Sequence, residues 1–164
     1  MKLLDFTNIN GEAGASSVQD ETSADGAFRN GVWMSKRTAD GSKNLPAKIW
    51  YEFPDPVLPA KISFKPRNLL YHAVMMTPKE FEFVGSEDRG CNNQESTIWT
   101  TLCHRSYGDD HPFNETEPRG CKIDGNPQRN HQQLYRCLGI NVMKAMEDGQ
   151  PVALRKIQIW VWDM

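Results

Sequence analysis

The chain has 164 residues, with 19 Lys and Arg against 21 Asp and Glu and a formal net charge of −2. That length suits one domain, read as residues 1–164, and is enough to bury a core without the help of cross-links. Basic residues are interleaved with acidic ones along the chain, and no apolar run approaches the ~20 residues that cross a bilayer, so neither a nucleic-acid partner nor a transmembrane segment is expected.

The opening Met1-Lys2-Leu3-Leu4-Asp5 turns acidic too soon to read as a secretory signal. The first clear strand is Ile49, Tyr51 and Phe53, alternating with Trp50 and Glu52. Ile62 and Phe64 then alternate with Lys61, Ser63 and Lys65, Val74-Met75-Met76 reads as buried strand, and Phe81 and Phe83 alternate with Glu80 and Glu82. Leu134, Leu138, Ile140 and Val142 share one parity, and Ile157, Ile159 and Val161 alternate with Lys156, Gln158 and Trp160. Pro, Gly, Asn or Asp bounds each run, as turn chemistry requires. A helical turn is predicted only over Val142–Glu147, stopped by Gly149-Gln150-Pro151. Many short strands with such punctuation indicate an all-β, antiparallel sandwich.

His104 to His131 breaks the rhythm, with almost no apolar residues, no alternation, and the carboxylates Asp109, Asp110, Glu115, Glu117 and Asp124. A long loop of that kind is read as ordered and functional. Cysteines stand at 91, 103, 121 and 137 without a Cys-x-x-Cys spacing, which excludes a zinc ribbon and points to disulfides and an oxidising, extracellular compartment. Three pairings within the chain are open, and the loop residue Cys91 is a candidate for a covalent link between two chains. Asn114-Glu115-Thr116 is an N-glycosylation sequon. No Gly-x-Ser-x-Gly elbow, phosphate-binding loop or His-Glu-x-x-His is present, so the chain is expected to bind rather than catalyse; paired carboxylates of the acidic loop are the remaining catalytic option.

The ordered set Ala15-Ser16-Ser17, Ser23-Ala24-Asp25-Gly26, Trp33-Met34-Ser35, Ile49-Trp50-Tyr51-Glu52-Phe53, Pro78 to Ser86, Trp99 to Leu102, Tyr135 to Val142 and Lys156 to Trp160 resembles the discoidin, or coagulation-factor C-domain, family over nearly the whole chain. The resemblance implies a galactose-binding-domain-like jelly roll. Within it, F-type lectins and the calcium-dependent galactose lectins of sea anemones look nearest. Fucose-binding F-type lectins use a His before the tryptophan-led strand and an Arg-x-Asp after the next. Here 36–47 holds no His, and Arg67 is followed by Asn68-Leu69. Their structural calcium uses an Asp-Gly turn, matched by Asp25-Gly26 and Asn30, and a late Glu, where Lys156 stands.

The function implied is a lectin for terminal galactose-type glycans, with binding loops gathered at one end of the sandwich. Residues 36–44 supply Asp40, Lys43 and Asn44; residues 67–72 supply Arg67, Tyr71 and His72; Tyr107 offers an aromatic face. Calcium, which takes six to eight oxygen ligands, two of them available from neighbouring sugar hydroxyls, is expected among Asp109, Asp110, Glu115, Glu117, Asp124 and Asn126. Trp50 and Trp99 are expected in the core, and Trp33 and Trp162 partly exposed. A homodimer, disulfide-linked or not, would add avidity. The rival reading is an adhesion module for phospholipid or protein, with Asn68-Leu69-Leu70-Tyr71 as an apolar spike beside Lys65 and Arg67; repulsion between the acidic loop and anionic lipid counts against it.

Overall fold

The computed structural model describes residues 1–41, 44–66, 75–91, 97–108, 118–123 and 133–163. In chain order the elements are β1 (Lys2–Leu3), β2 (Glu12–Ala15), α1 (Ala24–Phe28), β3 (Val32–Met34), β4 (Ala47–Pro66), β5 (Pro78–Ser86), β6 (Thr100–Ser106), β7 (Arg119–Lys122), β8 (Tyr135–Ala145) and β9 (Ala153–Trp162). All pairings are antiparallel.

Two sheets pack face to face and share β4. Its first half lies between β2 and β8, and β5 and β6 complete that layer, called sheet B. Its second half lies between β9 and β7, with β1 and β3 on the far side of β9, forming sheet A. The change of layer falls at Pro54-Asp55-Pro56, where the ladder to β8 breaks between Glu52 and Val57. Proline cannot donate to a ladder, so such a segment pairs poorly and marks the corner at which a strand leaves one sheet for the other.

The period-2 residues fill the space between the sheets. Ile49, Tyr51, Phe53, Ile62, Phe64, Phe81, Phe83, Leu138, Ile140, Val142, Leu154, Ile159 and Val161 are all buried in one cluster. Leu134 is exposed, and Tyr135 takes the buried position at the start of β8. Val142 to Ala145 is strand rather than helix, because β5 pairs along it from Phe81 back to Pro78 and β4 meets it at Val142. The helix is instead α1, capped by Ser23 Oγ, which accepts from Gly26 N at 2.9 Å. Ala24, Ala27 and Phe28 are buried against the core. Asp25 in this turn accepts from Arg29 Nε at 3.0 Å. Trp33 is fully buried, its Nε1 donating to Ser17 O at 2.9 Å, whereas Trp99 and Trp162 are half-buried.

Outside sheet B a second small cluster joins Trp50, Trp99 and the Cys91–Cys137 disulfide. Trp50 lies across Gly139 on the neighbouring strand, where a Cβ would stand 2.8 Å from Trp50 Cβ and collide with Ile49 O. The second disulfide joins Cys103 of β6 to Cys121 of β7, and so ties an edge of sheet B to an edge of sheet A. Both bridges are intramolecular and no cysteine is free, so a covalent link between two chains through Cys91 is not available. Glu52 approaches Cys91 and Cys137, but thiols held in a disulfide are not metal ligands. The 104–131 segment is not one loop: β6 runs to Ser106, and β7 pairs with Lys61–Phe64 in its middle.

Candidate functional site at the loop end of the sandwich

Registers show which strand ends meet. Ala47 faces Val142, Pro78 faces Ala145, and Glu80 faces Ser106 in sheet B; Phe64 faces Arg119, Pro66 faces Leu154, and Met34 faces Ala153 in sheet A. The turn from β8 to β9 joins the two sets. These registers place eight strand ends at one end of the sandwich, those of β3, β4 (both termini), β5, β6, β7, β8 and β9. The chain leaves that end into 35–46, 67–77 and 107–118. Lys122, by contrast, faces Lys61 toward the opposite end. In chain order β7 stands between the acids at 109–117 and the pair Asp124 and Asn126, all of which lie outside the described residues.

The loop 35–46 is built by buried polar contacts. Ser35 and Val152 exchange hydrogen bonds: Ser35 N donates to Val152 O and Val152 N donates to Ser35 Oγ, both at 2.9 Å. Asn44 is 3% exposed; its Oδ1 accepts from Thr38 N at 2.5 Å and Thr38 Oγ1 at 2.8 Å, and its Nδ2 donates to Gly149 O at 2.6 Å. Oδ1 thus ties Thr38 within the loop and Nδ2 ties the loop to the β8–β9 turn, so both polar atoms of the buried side chain serve as a brace. Gly41 makes the close approach: its φ is +70° and a Cβ there would stand 2.8 Å from Gly149 O.

This arrangement raises Asp40 as an exposed ridge between two clefts. One, about 310 Å³, runs between Asp40, Asn44 and Leu45 and the β8–β9 side chains Lys144, Glu147 and Asp148. The other, about 570 Å³, lies between Asp40, Arg37, Thr38 and Gln19. Gly41 and Gly149 floor both. Carboxylates, an ammonium, a guanidinium and an amide within one open polar mouth are the donors and acceptors that a polyol needs. Arg37, Gln19, Glu147 and Asp148 were not legible as site residues in the sequence. The hydrogen bond from Asn44 Nδ2 to Gly149 O helps bring the 145–150 turn against 38–41.

Tyr107 does not offer a ring face. It is 7% exposed, stacks on Phe81 at 6.2 Å between centroids, carries the Arg119 guanidinium over its ring at 4.2 Å, and its hydroxyl accepts from Gly120 N at 3.3 Å. It is a core residue under the loop end, and its burial corrects the expectation of a sugar-stacking aromatic. Arg119 is itself 5% exposed and donates from Nη1 to Pro78 O at 2.6 Å; burial pulls its guanidinium below its ordinary value. Together they pin β5, β6 and β7 where the outer loops begin. Lys43, Arg67, Tyr71, His72, Asp109, Asp110, Glu115, Glu117, Asp124 and Asn126, together with the sequon at Asn114, lie outside the described residues.

No protein-family model matches the sequence, and no curated protein is similar to it. Solved structures are similar in shape. A family 32 carbohydrate-binding module, the third of a family 31 glycoside hydrolase from Clostridium perfringens, superposes with a TM-score of 0.73 over 98% of this chain and 95% of that one, at 15% identity. The family 32 module of Clostridium perfringens NanJ, solved with galactose, gives 0.64 over 91% and 92%, at 13% identity. A chitosan-binding module of a Paenibacillus chitosanase/glucanase, solved with chitotriose, gives 0.64 over 93% and 97%, at 12% identity. The fold of this chain is therefore the galactose-binding-domain-like β-sandwich of these modules, as the resemblance to the discoidin family implied.

Proposed function

We propose that the chain is a non-catalytic carbohydrate-binding module that takes a galactose-type sugar at the loop end. The observation that carries the reading is the convergence of eight strand ends at one end, with Asp40 held between two polar clefts by the Asn44 hydrogen bonds. Similar sandwiches have been solved with galactose, N-acetylgalactosamine and chitotriose bound, which supports a saccharide over other small ligands. Asp40, Glu147 and Asp148 accept hydroxyl protons in this reading, and Arg37 and Lys144 donate. Calcium belongs to the same proposal, with Asp109, Asp110, Glu115 and Glu117 as its oxygen donors on the segment between Ser106 and Arg119. Two disulfides suit an extracellular setting.

A glycan array run with and without EDTA tests ligand and metal together. Binding of galactosides that is lost in EDTA supports both parts; binding retained in EDTA removes calcium alone. Binding of phosphatidylserine vesicles with no glycan recognised overturns the proposal in favour of an adhesion module. The Asp40→Ala variant is expected to lower galactoside affinity about tenfold, the worth of one charge-assisted hydrogen bond.

A further inference from the structure

The fold gathers positive charge that the order of residues conceals. The strands of sheet A, including the second half of β4, contain no Asp or Glu. Ile62, Phe64, Ile159 and Val161 point into the core, so Lys61, Lys65, Gln158 and Trp160 point outward. Register then sets Lys61 directly opposite Lys122 and Lys65 directly opposite Arg155. Like charges directly opposite each other destabilise a ladder, and these two pairs lie roughly 13 Å apart along β4.

Sheet B handles a like-charge pair differently. Glu12 faces Glu52 there, but both line a cleft of about 320 Å³ with Arg89 and Arg136, and Glu52 also accepts from Gly90 N at 2.5 Å. On the outer face of sheet A no described carboxylate plays that part; Asp163, just beyond β9, meets Lys2 at 3.9 Å. Arg155 itself is half-buried, with its Nε buried and without an acceptor among the described residues. Lys61 Nζ lies 4.8 Å from the centre of the Trp160 ring, and Trp162 follows on the same face of β9.

We propose that the outer face of sheet A binds an acidic polysaccharide, a chain of sugars bearing sulfate or carboxylate groups, at a site distinct from the loop end. The four cations span β7, β4 and β9, two strand spacings or roughly 10 Å. That is a strip suited to one extended chain, with indole rings beside it for sugar C–H faces. Anionic groups seated between Lys61 and Lys122 and between Lys65 and Arg155 turn two repulsive pairs into charge-assisted contacts.

Affinity electrophoresis of the intact chain in gels containing dextran sulfate, polygalacturonate or uncharged dextran tests this. Retardation by at least one acidic polymer, unaffected by free galactose and absent in dextran, is expected; the two acidic arms tell sulfate from carboxylate. The Lys65→Gln/Lys122→Gln double variant should weaken that binding about tenfold, in keeping with loss of charge-assisted contacts, while keeping any loop-end glycan binding. Because it removes one member of each repulsive pair, it should melt no lower than the parent, so misfolding does not explain a loss. Asp40→Ala should leave dextran sulfate binding intact, which separates this site from the loop end whether or not the latter binds galactose. Equal retardation of parent and double variant overturns the proposal. So does competition by galactose, or tighter binding of duplex DNA or phosphatidylserine vesicles than of both acidic polymers at the same ionic strength.

Discussion

Replacing Asn44 separates a ligand from a brace. If Asn44 touched the sugar, Asn44→Ala would lower affinity and leave stability alone. The structure gives the opposite expectation. The substitution strands the backbone N–H of Thr38, removes the acceptor of its hydroxyl, and takes the donor from Gly149 O. A buried group left unpaired costs about 1–3 kcal/mol. Gly149 is exposed and the Thr38 hydroxyl can rotate toward water, so only the Thr38 amide bears the full penalty. The sum is about 2 kcal/mol, which for a chain of this size lowers Tm by about 4–8 °C. Asn44→Asp keeps an acceptor for Thr38 but sets a carboxylate against Gly149 O, so it too should melt below the parent. Differential scanning calorimetry gives the melts, and titration with galactose gives the affinity. A variant that melts with the parent yet binds the sugar more weakly would refute the bracing role and return Asn44 to the ligand set.

Three further outcomes are expected. Cys103→Ala/Cys121→Ala and Cys91→Ala/Cys137→Ala, which open bridges between residues 18 and 46 apart, should cost about 3 and about 4 kcal/mol by loop-closure entropy, read from urea unfolding. Gly139→Ala forces a methyl group against Ile49 O and Trp50, and should cost about 1–3 kcal/mol or more, with a changed tryptophan fluorescence reporting displaced Trp50. Glu80 lies 3.1 Å from His104 Nε2 and 3.6 Å from Lys144 Nζ, and the hydrogen bond to His104 chiefly holds its carboxyl below the ordinary value. A lowered carboxylate stabilises the fold above its unfolded pKa, and that contribution is lost as pH falls through its folded one. Near the surface it is worth less than about 1 kcal/mol. Glu80→Gln should therefore melt slightly below the parent at neutral pH, with the gap closing in acid; a gap that widens in acid contradicts the sign.

Strands were legible where one face is apolar and the other is not. Ile49-Tyr51-Phe53 and Ile157-Ile159-Val161 show this directly, since all six are buried. The pattern failed where burial does not alternate. β6 is an edge strand with most of its residues exposed or half-buried, and β7 has only four residues, so neither carries a period. Val142 to Ala145 looked helical because apolar residues follow one another there; tertiary pairing with β5 decides it. The prolines at 54 and 56 read as a strand break, whereas the chain continues as one strand that changes sheets. At the loop end, Asp40 was legible as a polar loop residue. The role of Asn44 was not, because its partners Thr38 and Gly149 are 6 and 105 residues away.

The charge of sheet A follows the same logic. In Lys61-Ile62-Ser63-Phe64-Lys65 the cations are diluted by core residues, and a near-neutral chain gives no hint of them. Alternation removes Ile62 and Phe64 to the other face, and antiparallel pairing adds Lys122 and Arg155 from chain segments far away. Sheet A therefore cannot stack on sheet A of a second copy without setting like charges together. The edges are restrained as well. The Cys103–Cys121 bridge holds the edge strands β6 and β7 to each other, and His104 and Arg105 place polar groups along β6, which discourages addition of a foreign strand. The loop end and the basic face of sheet A are then the surfaces on which the two proposed ligands would act, away from the guarded edges β6 and β7.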